Sequence, residues 1–588
     1  MNFNFSRHNL TGMEKAFQRV CEVIPGLLSW TVILGSFILS FFQPLFVAVA
    51  IVAFDFYWLL RIIYMTVFLI LSYFRLSVEK STDWMARVKG LDNFGAYLPG
   101  LPETVFTPPP ESHACEGVDE WLSGRDSAPR FERNPEKTEA TAVRPRSFTL
   151  RSKKGLSLFL HKKELLELKA KGVKFPRSEN IHHLIIIPVA RESADIVEPG
   201  MLSMISGSFP SKRILVVFAL EERAKESVKK GVLALKEKYK GDFLDVLVSA
   251  HPDGIAGEAR VKGANATHAA KEAAGYLEAK KIPFENVIVS CFDSDTVVNP
   301  EYFACLTYRF MVTPERTRAS FQPIPVYYNN IWNVPGFARV LETGSSFFQL
   351  IEATNPEKMV TFSSHSMSFK ALVDVGYWPV DMVSDDSAIF WKSYVCFDGN
   401  YRVVPMYTTL SMDIVAADSV WKTMVNVYKQ KRRWAWGVEN FPIVMRGFAK
   451  NKRISLYNKF RLGFKLLEGH IAWTTWAFLL TIVGWLPALF ATKAFQHSVV
   501  YYNAPRVAGT IFNLAGFSLV ASIILSIFLL PPKKTKHPLF QRLIFAFEWL
   551  LVPLIYLFLS AVPALDAQTR LMLGKRMEFW VAEKGRRK

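Results

Sequence analysis

Three short groups of polar residues have the types and the order needed for phosphate and hydroxyl chemistry. Asp293-Ser294-Asp295 directly follows the apolar run 287–292. Ser384-Asp385-Asp386 and Gln430-Lys431-Arg432-Arg433-Trp434 come later in the chain, in that order. Together they offer paired carboxylates, a second acidic pair and a basic aromatic segment.

The Asp293-Ser294-Asp295 group is predicted to lie at the carboxyl end of a strand. Ligands bind at that edge of open α/β sheets. Two carboxylates one residue apart can share a hard divalent cation, which then neutralises part of a substrate diphosphate. The alternative is an ordinary strand-to-loop turn, where aspartate is common.

The two later groups each allow two interpretations. Ser384-Asp385-Asp386 could supply a general base, or it could simply start a helix, since Ser and Asp are good N-caps. The group from Gln430 to Trp434 could belong to the same site. The alternative is a basic helix on lipid headgroups, with Trp434 and Trp436 as interface anchors.

The elements that must position these residues follow an alternating strand and helix pattern. Uninterrupted apolar runs, typical of strands buried on both faces, alternate with helical segments that have one charged face. This alternation predicts a mostly parallel α/β sheet. The predicted strands are 182–188, 213–220, 243–249 and 286–292, and the predicted helices are 225–239 and 264–280.

Composition adds a membrane part to this soluble pattern. The chain has 588 residues, 50% hydrophobic and 14% aromatic, which excludes a disordered or fibrous protein. Residues 24–42 and the following apolar stretch to about 73 predict a helix hairpin rather than a signal peptide. Asp55 and Arg61 interrupt its second half and should face other helices or the interface.

Three apolar segments follow the catalytic region, at 471–491, 507–530 and 543–562. The last contains Glu548 and Pro553 and has basic residues on both sides, so a re-entrant or interfacial hairpin is predicted rather than a full span. The domains expected are a transmembrane hairpin (1–76), a cytosolic linker with local helices (77–180), a catalytic domain (181–420), amphipathic interfacial helices (421–466), transmembrane or re-entrant helices (467–565) and a basic cytosolic tail (566–588).

The net charge is +19, and many of the basic residues that cause it lie next to apolar segments. This is the positive-inside pattern, so membrane lipids rather than nucleic acid are the expected partners, and the 531–541 loop and the tail should be cytosolic. The five cysteines form no C-x-x-C pair, which fits a reducing, cytosol-facing site. An integral protein of the cell membrane with a cytosolic catalytic domain is predicted.

The ordered set D-x-D, S-D-D and Q-x-x-R-W resembles the membrane-integral family 2 glycosyltransferases, the cellulose synthase and hyaluronan synthase class. Ile187-Pro188 with Arg191-Glu192, and more loosely Lys262-Gly263-Ala264-Asn265, are further matches. The resemblance implies a GT-A type domain that transfers sugar, with inversion, from a nucleotide sugar, which the resemblance suggests is UDP-linked. The acceptor would be a growing polysaccharide or a lipid.

The resemblance also implies residue roles. Asp293 and Asp295 would bind the diphosphate and its Mg²⁺ or Mn²⁺, with Asp295 the main metal ligand. Asp386 would be the catalytic base. The donor would also be bound by Lys262, Gln430 and Arg433, and the acceptor sugar would stack on Trp434.

The chain departs from the family pattern in three places. The aspartate expected after the second strand is absent, and Glu222 is the proposed substitute for binding the nucleobase. Asp385 stands where the family has glutamate, and Ser363–Met367 differs from the family's acceptor-side segment. The sequence leaves open a non-processive transferase that makes a glycolipid and a nucleotide-binding transporter or scaffold.

Overall fold

The computed structural model describes residues 3–8, 10–102, 104–105, 148–149, 152–531, 538–578 and 580. Most of the 531–541 loop and the end of the predicted basic tail lie outside the described residues.

Two long helices begin the chain, α1 (Gly12–Phe42) and α2 (Pro44–Glu79). Both are long and apolar enough to cross a membrane. Pro44 opens α2, where its missing N–H costs nothing. Asp55 is 3% exposed, and Arg61 lies 3.8 Å from Glu468. The charged residues of this hairpin therefore face protein, as expected.

Residues 77–180 were predicted to be a cytosolic linker with local helices, and the described parts of this region do contain helices. They contain α3 (Trp84–Asp92), α4 (Phe94–Gly100), α5 (Lys153–Ala170) and a parallel pair of two-residue strands, Thr104–Val105 and Phe148–Thr149. Trp84, Val88 and Leu165 are buried in the same hydrophobic core as the catalytic sheet. These helices therefore belong to the catalytic domain, because their apolar faces are covered by it.

An eight-stranded sheet forms the centre of the catalytic domain. Its strands are β1 (His182–Val189), β2 (Ile214–Glu221), β3 (Asp245–His251), β4 (Val287–Cys291), β5 (Val297–Val298), β6 (Ala319–Val326), β7 (Ser366–Ser368) and β8 (Arg402–Ser411). The spatial order is β3-β2-β1-β4-β7-β6-β8-β5. The first four strands in this order run parallel, whereas β7 is antiparallel to both of its neighbours.

The four predicted strands are confirmed to within a few residues. Leu184, Ile185 and Ile186 in β1 are fully buried, as expected for a strand covered on both faces. The covering and connecting helices are α6 (Ala194–Ile205), α7 (Glu226–Tyr239), α8 (Lys262–Ala279), α9 (Tyr302–Val312), α10 (Gly336–Ala353), α11 (Phe369–Asp374) and α12 (Asp385–Cys396).

Helices dominate the remainder of the chain. They are α13 (Val420–Ala435), α14 (Asn440–Lys450), α15 (Leu456–Thr481), α16 (Leu486–Leu489), α17 (Lys493–Gln496), α18 (Val499–Leu529), α19 (Pro538–Glu548), α20 (Val552–Tyr556) and α21 (Val562–Met572). Within the described ranges, four helices are long and apolar enough to span a membrane, or five if the pair Leu456–Thr481 and Val483–Leu489, bent by 42°, counts as one span.

The segment Leu543–Met572 passes that length test but is not one regular helix. A 3₁₀ turn at Trp549–Leu551 and a π segment at Leu557–Ala561 interrupt it. Near its start, Glu548 pairs with Arg339 of α10 at 3.1 Å, and near its end Asp566 pairs with Arg432 of α13 at 2.8 Å. Both ends lie against the catalytic region, a path that favours the predicted re-entrant hairpin.

Candidate active site

Lys262 joins two of the three motifs. Its ammonium lies 3.0 Å from Asp293 Oδ1 and 3.2 Å from Asp386 Oδ1. Burial alone would lower the pKa of Lys262, but the two carboxylates outweigh it and hold that pKa well above its ordinary value. The lysine is therefore a permanent cation between the D-x-D and S-D-D groups.

The fold explains why these three side chains meet. Asp293 lies just after the carboxyl end of β4, Lys262 is the first residue of α8, and Asp386 lies in the first turn of α12. A Cβ at Gly263 would come within 2.4 Å of the Pro379 carbonyl oxygen and 3.0 Å of Asp385 Cβ. Glycine at this position lets the amino end of α8 approach the loop before α12.

Asp295 and Asp293 both border the cavity described below. Asp295 is 1% exposed and accepts a hydrogen bond from the Asp413 N–H at 2.8 Å. Their carboxylate oxygens suit a hard cation such as Mg²⁺ or Mn²⁺. The Lys262 ammonium beside Asp293 shows that this position attracts positive charge, so the residues present fit a divalent ion held with the help of substrate oxygens.

Asp385 differs from its neighbour Asp386. It is 2% exposed, and burial together with the Asp386 carboxylate raises the pKa of Asp385. The Asp386 side chain is 25% exposed and borders the cavity. Both residues border the cavity, but the Asp386 carboxylate is the more exposed of the two and so the better placed to meet an acceptor hydroxyl.

The Q-x-x-R-W group lies at the carboxyl end of α13. Arg433 borders the cavity, where burial lowers its pKa and the carboxylates of Asp293, Asp385 and Asp386 oppose that shift. Gln430 is 7% exposed, and within the described part of the chain its Oε1 receives no hydrogen bond. Both side chains therefore offer polar groups to a ligand in the cavity.

Trp434 is held by a buried ion pair. The Lys431 ammonium lies 3.8 Å from the centre of the Trp434 ring and 3.0 Å from Glu342 Oε1 on α10. Burial lowers the pKa of Lys431, and the Glu342 carboxylate opposes the shift. A cation over one ring face fixes its orientation and leaves the remainder of the ring available at the cavity wall.

The lipid-anchor interpretation of this segment does not hold for Trp436 or for Lys431. Trp436 is completely buried, and its Nε1 donates to Glu439 Oε2 at 2.9 Å. Lys431 is 3% exposed. These side chains are covered by protein because α13 packs between the catalytic domain and α21, so they cannot lie among headgroups. Trp421, at the other end of the helix, is 68% exposed.

The structure does not bring Glu222 to the cavity. Its Oε2 accepts a hydrogen bond from the Asp253 N–H at 3.1 Å, and it is absent from the residues that border the cavity. Its neighbours Glu221 and Arg223 do border it. A nucleobase-binding role for Glu222 remains a prediction, and Glu221 is the better placed carboxylate.

Sequence reasoning missed the serine loop beside the D-x-D group as a ligand of that group. Ser363 Oγ donates to Asp293 Oδ2 at 2.5 Å, and Ser364 Oγ accepts from the Asp293 N–H at 3.4 Å. Ser364 has a φ of 58°, a left-handed conformation that non-glycine residues rarely adopt. The sequence pattern does not indicate this pairing, because the loop before β7 comes next to Asp293 only when β7 pairs within the sheet.

The carboxyl-terminal segment also reaches the site. Arg576, Met577 and Glu578 border the cavity, and the Trp580 carbonyl accepts a hydrogen bond from Arg433 Nη1 at 3.2 Å. The Lys429 ammonium lies 5.5 Å from the Trp580 ring. A segment that sequence analysis treated as a basic tail therefore begins as part of the cavity wall.

The groups described above as bordering the cavity surround one space of about 1800 Å³. Most ligand pockets measure about 300–1,000 Å³, so this one exceeds the needs of a single nucleotide sugar. It continues between the apolar helices, where its wall includes residues of α2, α15, α18 and the broken segment: Arg61, Met65, Trp473, Trp476, Ser522 and Tyr556.

Comparisons with known proteins agree with this arrangement. Residues 288–560 match the family model described as Glycosyl transferase family group 2. The poly-beta-1,6-N-acetyl-D-glucosamine synthase of Staphylococcus epidermidis is 23% identical over 332 residues, which is 55% of this chain and 68% of that protein. The protein of the same name from Staphylococcus aureus (strain COL) is 29% identical over 175 residues, 29% of this chain and 39% of that one.

Solved structures show a weaker likeness. The mannosyltransferase PcManGT from Pyrobaculum calidifontis, in complex with GDP-Man and Mn²⁺, is 15% identical, with a TM-score of 0.34 over 63% of this chain and 97% of its own. S. aureus TarS 1–349 in complex with UDP-GlcNAc is 13% identical, with a TM-score of 0.33 over 67% of this chain and 93% of its own. TM-scores this low support no conclusion about ligands.

The family model begins within β4, includes all three motifs and ends within the broken apolar segment. It therefore covers the carboxylate cluster, the Q-x-x-R-W helix and the later apolar helices that share the cavity, but not α2. The mixed sheet with its helices is the arrangement expected of a GT-A type domain, and residues 288–560 of the chain are similar to the family 2 glycosyltransferases.

Proposed function

We propose that this glycosyltransferase moves a sugar, with inversion, from a UDP-sugar to a growing polysaccharide at the cytosolic face of a membrane. The observation that carries the proposal is the single cavity that joins the carboxylate and lysine cluster to aromatic residues of the apolar helices. A donor site alone does not need that extension, whereas a chain of several sugars does.

The donor diphosphate would lie among Lys262, Arg433 and the D-x-D carboxylates. A divalent cation held by Asp293 and Asp295 would neutralise part of the diphosphate charge when bound. Arg433 can make bidentate bonds to phosphate oxygens, and Gln430 can donate its amide N–H groups to them. Lys262 and Arg433 would stabilise the charge that develops on the leaving group as the glycosidic phosphate bond breaks.

Asp386 would accept the proton of the attacking acceptor hydroxyl. Its carboxylate borders the cavity and lies 3.2 Å from the Lys262 ammonium, within reach of an acceptor hydroxyl bound there. The acceptor oxygen would then attack the anomeric carbon in line with the departing diphosphate. Trp434 borders the cavity, and its ring would stack against the apolar face of the acceptor sugar.

The polymer acceptor is favoured over a lipid acceptor by the polar and aromatic lining of the extension. Trp473, Trp476 and Tyr556 offer rings with N–H and O–H groups, a surface suited to sugar hydroxyls. The curated relatives are named as polysaccharide synthases, which makes UDP-N-acetylglucosamine the first donor to test.

The test is to give the purified full-length protein, in lipid nanodiscs, one radiolabelled nucleotide sugar at a time, with Mg²⁺ or Mn²⁺. Label should be incorporated from one donor into material that elutes as polymer on gel filtration, and EDTA should stop incorporation. Label that extracts only with short glycolipids would establish the non-processive alternative. Nucleotide binding without any turnover would contradict both.

A further inference from the structure

We infer that the amino-terminal segment Phe3–His8 helps to hold the catalytic site in its active arrangement. Within this segment, Arg7 is a positioning residue for the S-D-D turn. This inference rests on the proposed role of Asp386. It concerns a part of the chain that the family match does not cover, since that match begins at residue 288.

Glu439 is the link between this segment and the site. It is 1% exposed, and its carboxylate is 3.0 Å from the Arg7 guanidinium. The same carboxylate accepts hydrogen bonds from the Ser384 N–H at 2.8 Å, the Ser384 hydroxyl at 2.7 Å and the Trp436 Nε1–H at 2.9 Å. One buried anion therefore holds together the S-D-D turn, the helix end after Q-x-x-R-W and the amino-terminal segment.

Ser384 shows how much of the turn depends on that anion. It occupies the N-cap position of α12, yet its side chain makes no capping hydrogen bond and donates to Glu439 instead. Asp385 and Asp386 follow in the first helical turn. Their direction into the cavity is consequently set by the position of Glu439 rather than by a local cap.

Glu439 needs a cation to remain where it is. A buried carboxylate without a partner is costly, and removing one member of a buried ion pair leaves an uncompensated charge. Arg7 is 12% exposed and supplies that cation. Its guanidinium also lies 5.8 Å from the Trp436 ring, so it contacts the helix end as well as the carboxylate.

The segment is anchored well enough to act as a fixed support. Ser6 Oγ donates to Asp381 Oδ2 at 2.6 Å, just before the S-D-D turn. Arg446 of α14 donates to the carbonyls of Asn4 and Ser6, both at 2.7 Å. Phe3 and Phe5 are buried in the main hydrophobic core. A segment that only led into α1 would not need these contacts.

The experiment compares Arg7→Gln and Arg7→Lys with wild type in the full-length protein in nanodiscs. Arg7→Gln should lower the kcat of transfer by roughly 10- to 100-fold, because small displacements of a catalytic group cost this much. The donor KM and the Kd for UDP, measured by calorimetry, should stay within about twofold, because the donor site does not depend on the turn. Arg7→Lys, which keeps the charge, should restore most of the rate.

The matched control is Lys450→Gln. Lys450 pairs with Glu14 and so also joins the amino-terminal part of the chain to α14, but it touches neither Glu439 nor the cavity. Its kcat should equal that of wild type. Ser6→Ala gives a second, milder change that leaves every charge in place, and about a threefold loss of kcat is expected from one lost hydrogen bond to a carboxylate.

Three results would decide against the inference. Wild-type kcat in both Arg7→Gln and Ser6→Ala would remove the positioning role. Equal losses of UDP binding and kcat would show a general structural role instead. If Lys450→Gln lost as much kcat as Arg7→Gln, any break between the amino-terminal part of the chain and α14 would lower activity, and Arg7 would have no specific role. Asp386→Asn is measured beside these variants. If Asp386→Asn transfers sugar at the wild-type rate, the proposed base is wrong. If Asp386→Asn loses transfer while the Arg7 variants do not, the proposed base stands and only the role of Arg7 is removed.

Discussion

The proposed donor and acceptor sides of the cavity are built in different ways. On the proposed donor side, charged groups from the sheet edge and two helix starts compensate one another, with Lys262 between Asp293 and Asp386. On the proposed acceptor side, aromatic rings line the wall, and the charged side chains are paired with one another: Lys431 with Glu342 behind Trp434, and Lys465 with Glu352. The donor side is suited to charge developing on phosphate, and the acceptor side to a neutral sugar that must also move on.

This difference has an energetic consequence. Removing a donor-side charge alters the stabilisation of a charged leaving group in a shielded site, where electrostatic effects are large. Removing an acceptor-side ring deletes one stacking surface among several. Substitutions should therefore have larger effects on the donor side, and the following predictions are arranged by the size of the expected effect.

Asp295→Asn should have the largest effect. The amide keeps an oxygen for the Asp413 N–H but lacks the charge needed to hold a divalent cation beside a diphosphate. Donor hydrolysis and transfer should both fall below detection at limiting Mn²⁺. Wild-type rates across a metal titration would contradict the metal assignment and remove the main argument for a charge-based donor side.

Asp386→Asn should lower transfer by about 10² to 10⁴, the usual contribution of a general base. UDP binding should remain nearly unchanged, because the amide still fits beside Lys262. Calorimetry with UDP and initial rates of sugar incorporation separate the two effects. Equal losses of UDP binding and of transfer rate would show that Asp386 helps to bind the donor rather than to activate the acceptor hydroxyl.

Trp434→Ala tests the acceptor side and should lower transfer by about tenfold, the value of one stacking contact of roughly 1.4 kcal/mol. Donor hydrolysis should be little affected, since it does not use that ring. Trp421→Ala is the matched control because Trp421 is 68% exposed and remote from the cavity wall. Equal, small effects in both variants, or equal loss of hydrolysis and transfer in Trp434→Ala, would contradict the sugar platform.

Asp385→Asn should have the smallest effect, within about threefold of wild-type transfer. Burial, together with the Asp386 carboxylate, raises the pKa of Asp385, which favours the neutral carboxyl and makes an amide a close replacement. The unfolded chain loses this proton near pH 4, so the wild-type protein loses stability as pH rises from about 4 toward the raised pKa of the folded protein. The Tm of the variant relative to wild type should therefore increase over that range, and a constant difference would contradict the buried neutral carboxyl.

The donor side was largely predictable from sequence because it depends on strand ends. A carboxylate pair after an apolar run indicates a sheet edge, and the motif order supplies the remainder. Asp293, Asp386 and Lys262 do come together as expected, although their chemical roles remain predictions. Glu222 was misplaced relative to the cavity because two adjacent acidic residues in a turn give no sign of which one faces inward.

The acceptor side was less predictable because its contacts join distant parts of the chain. Trp436 has the sequence context of an interface anchor, and its burial results from packing against helices that follow much later. Ser6 and Asp381 are separated by 375 positions, and no periodicity or motif indicates that they touch. The region between 84 and 170 was predicted as a linker with local helices, and its packing was not predictable for the same reason: Trp84 and Leu165 are buried against residues that lie far away in the sequence.

The contacts of Arg7 with Glu439 and of Arg433 with Trp580 place both the beginning and the end of the described chain at one centre. These two contacts join parts of the chain that are far apart in sequence. The wall around the carboxylates is therefore complete only when the described chain has folded as a whole, whereas the sheet by itself would leave the carboxylates open to water.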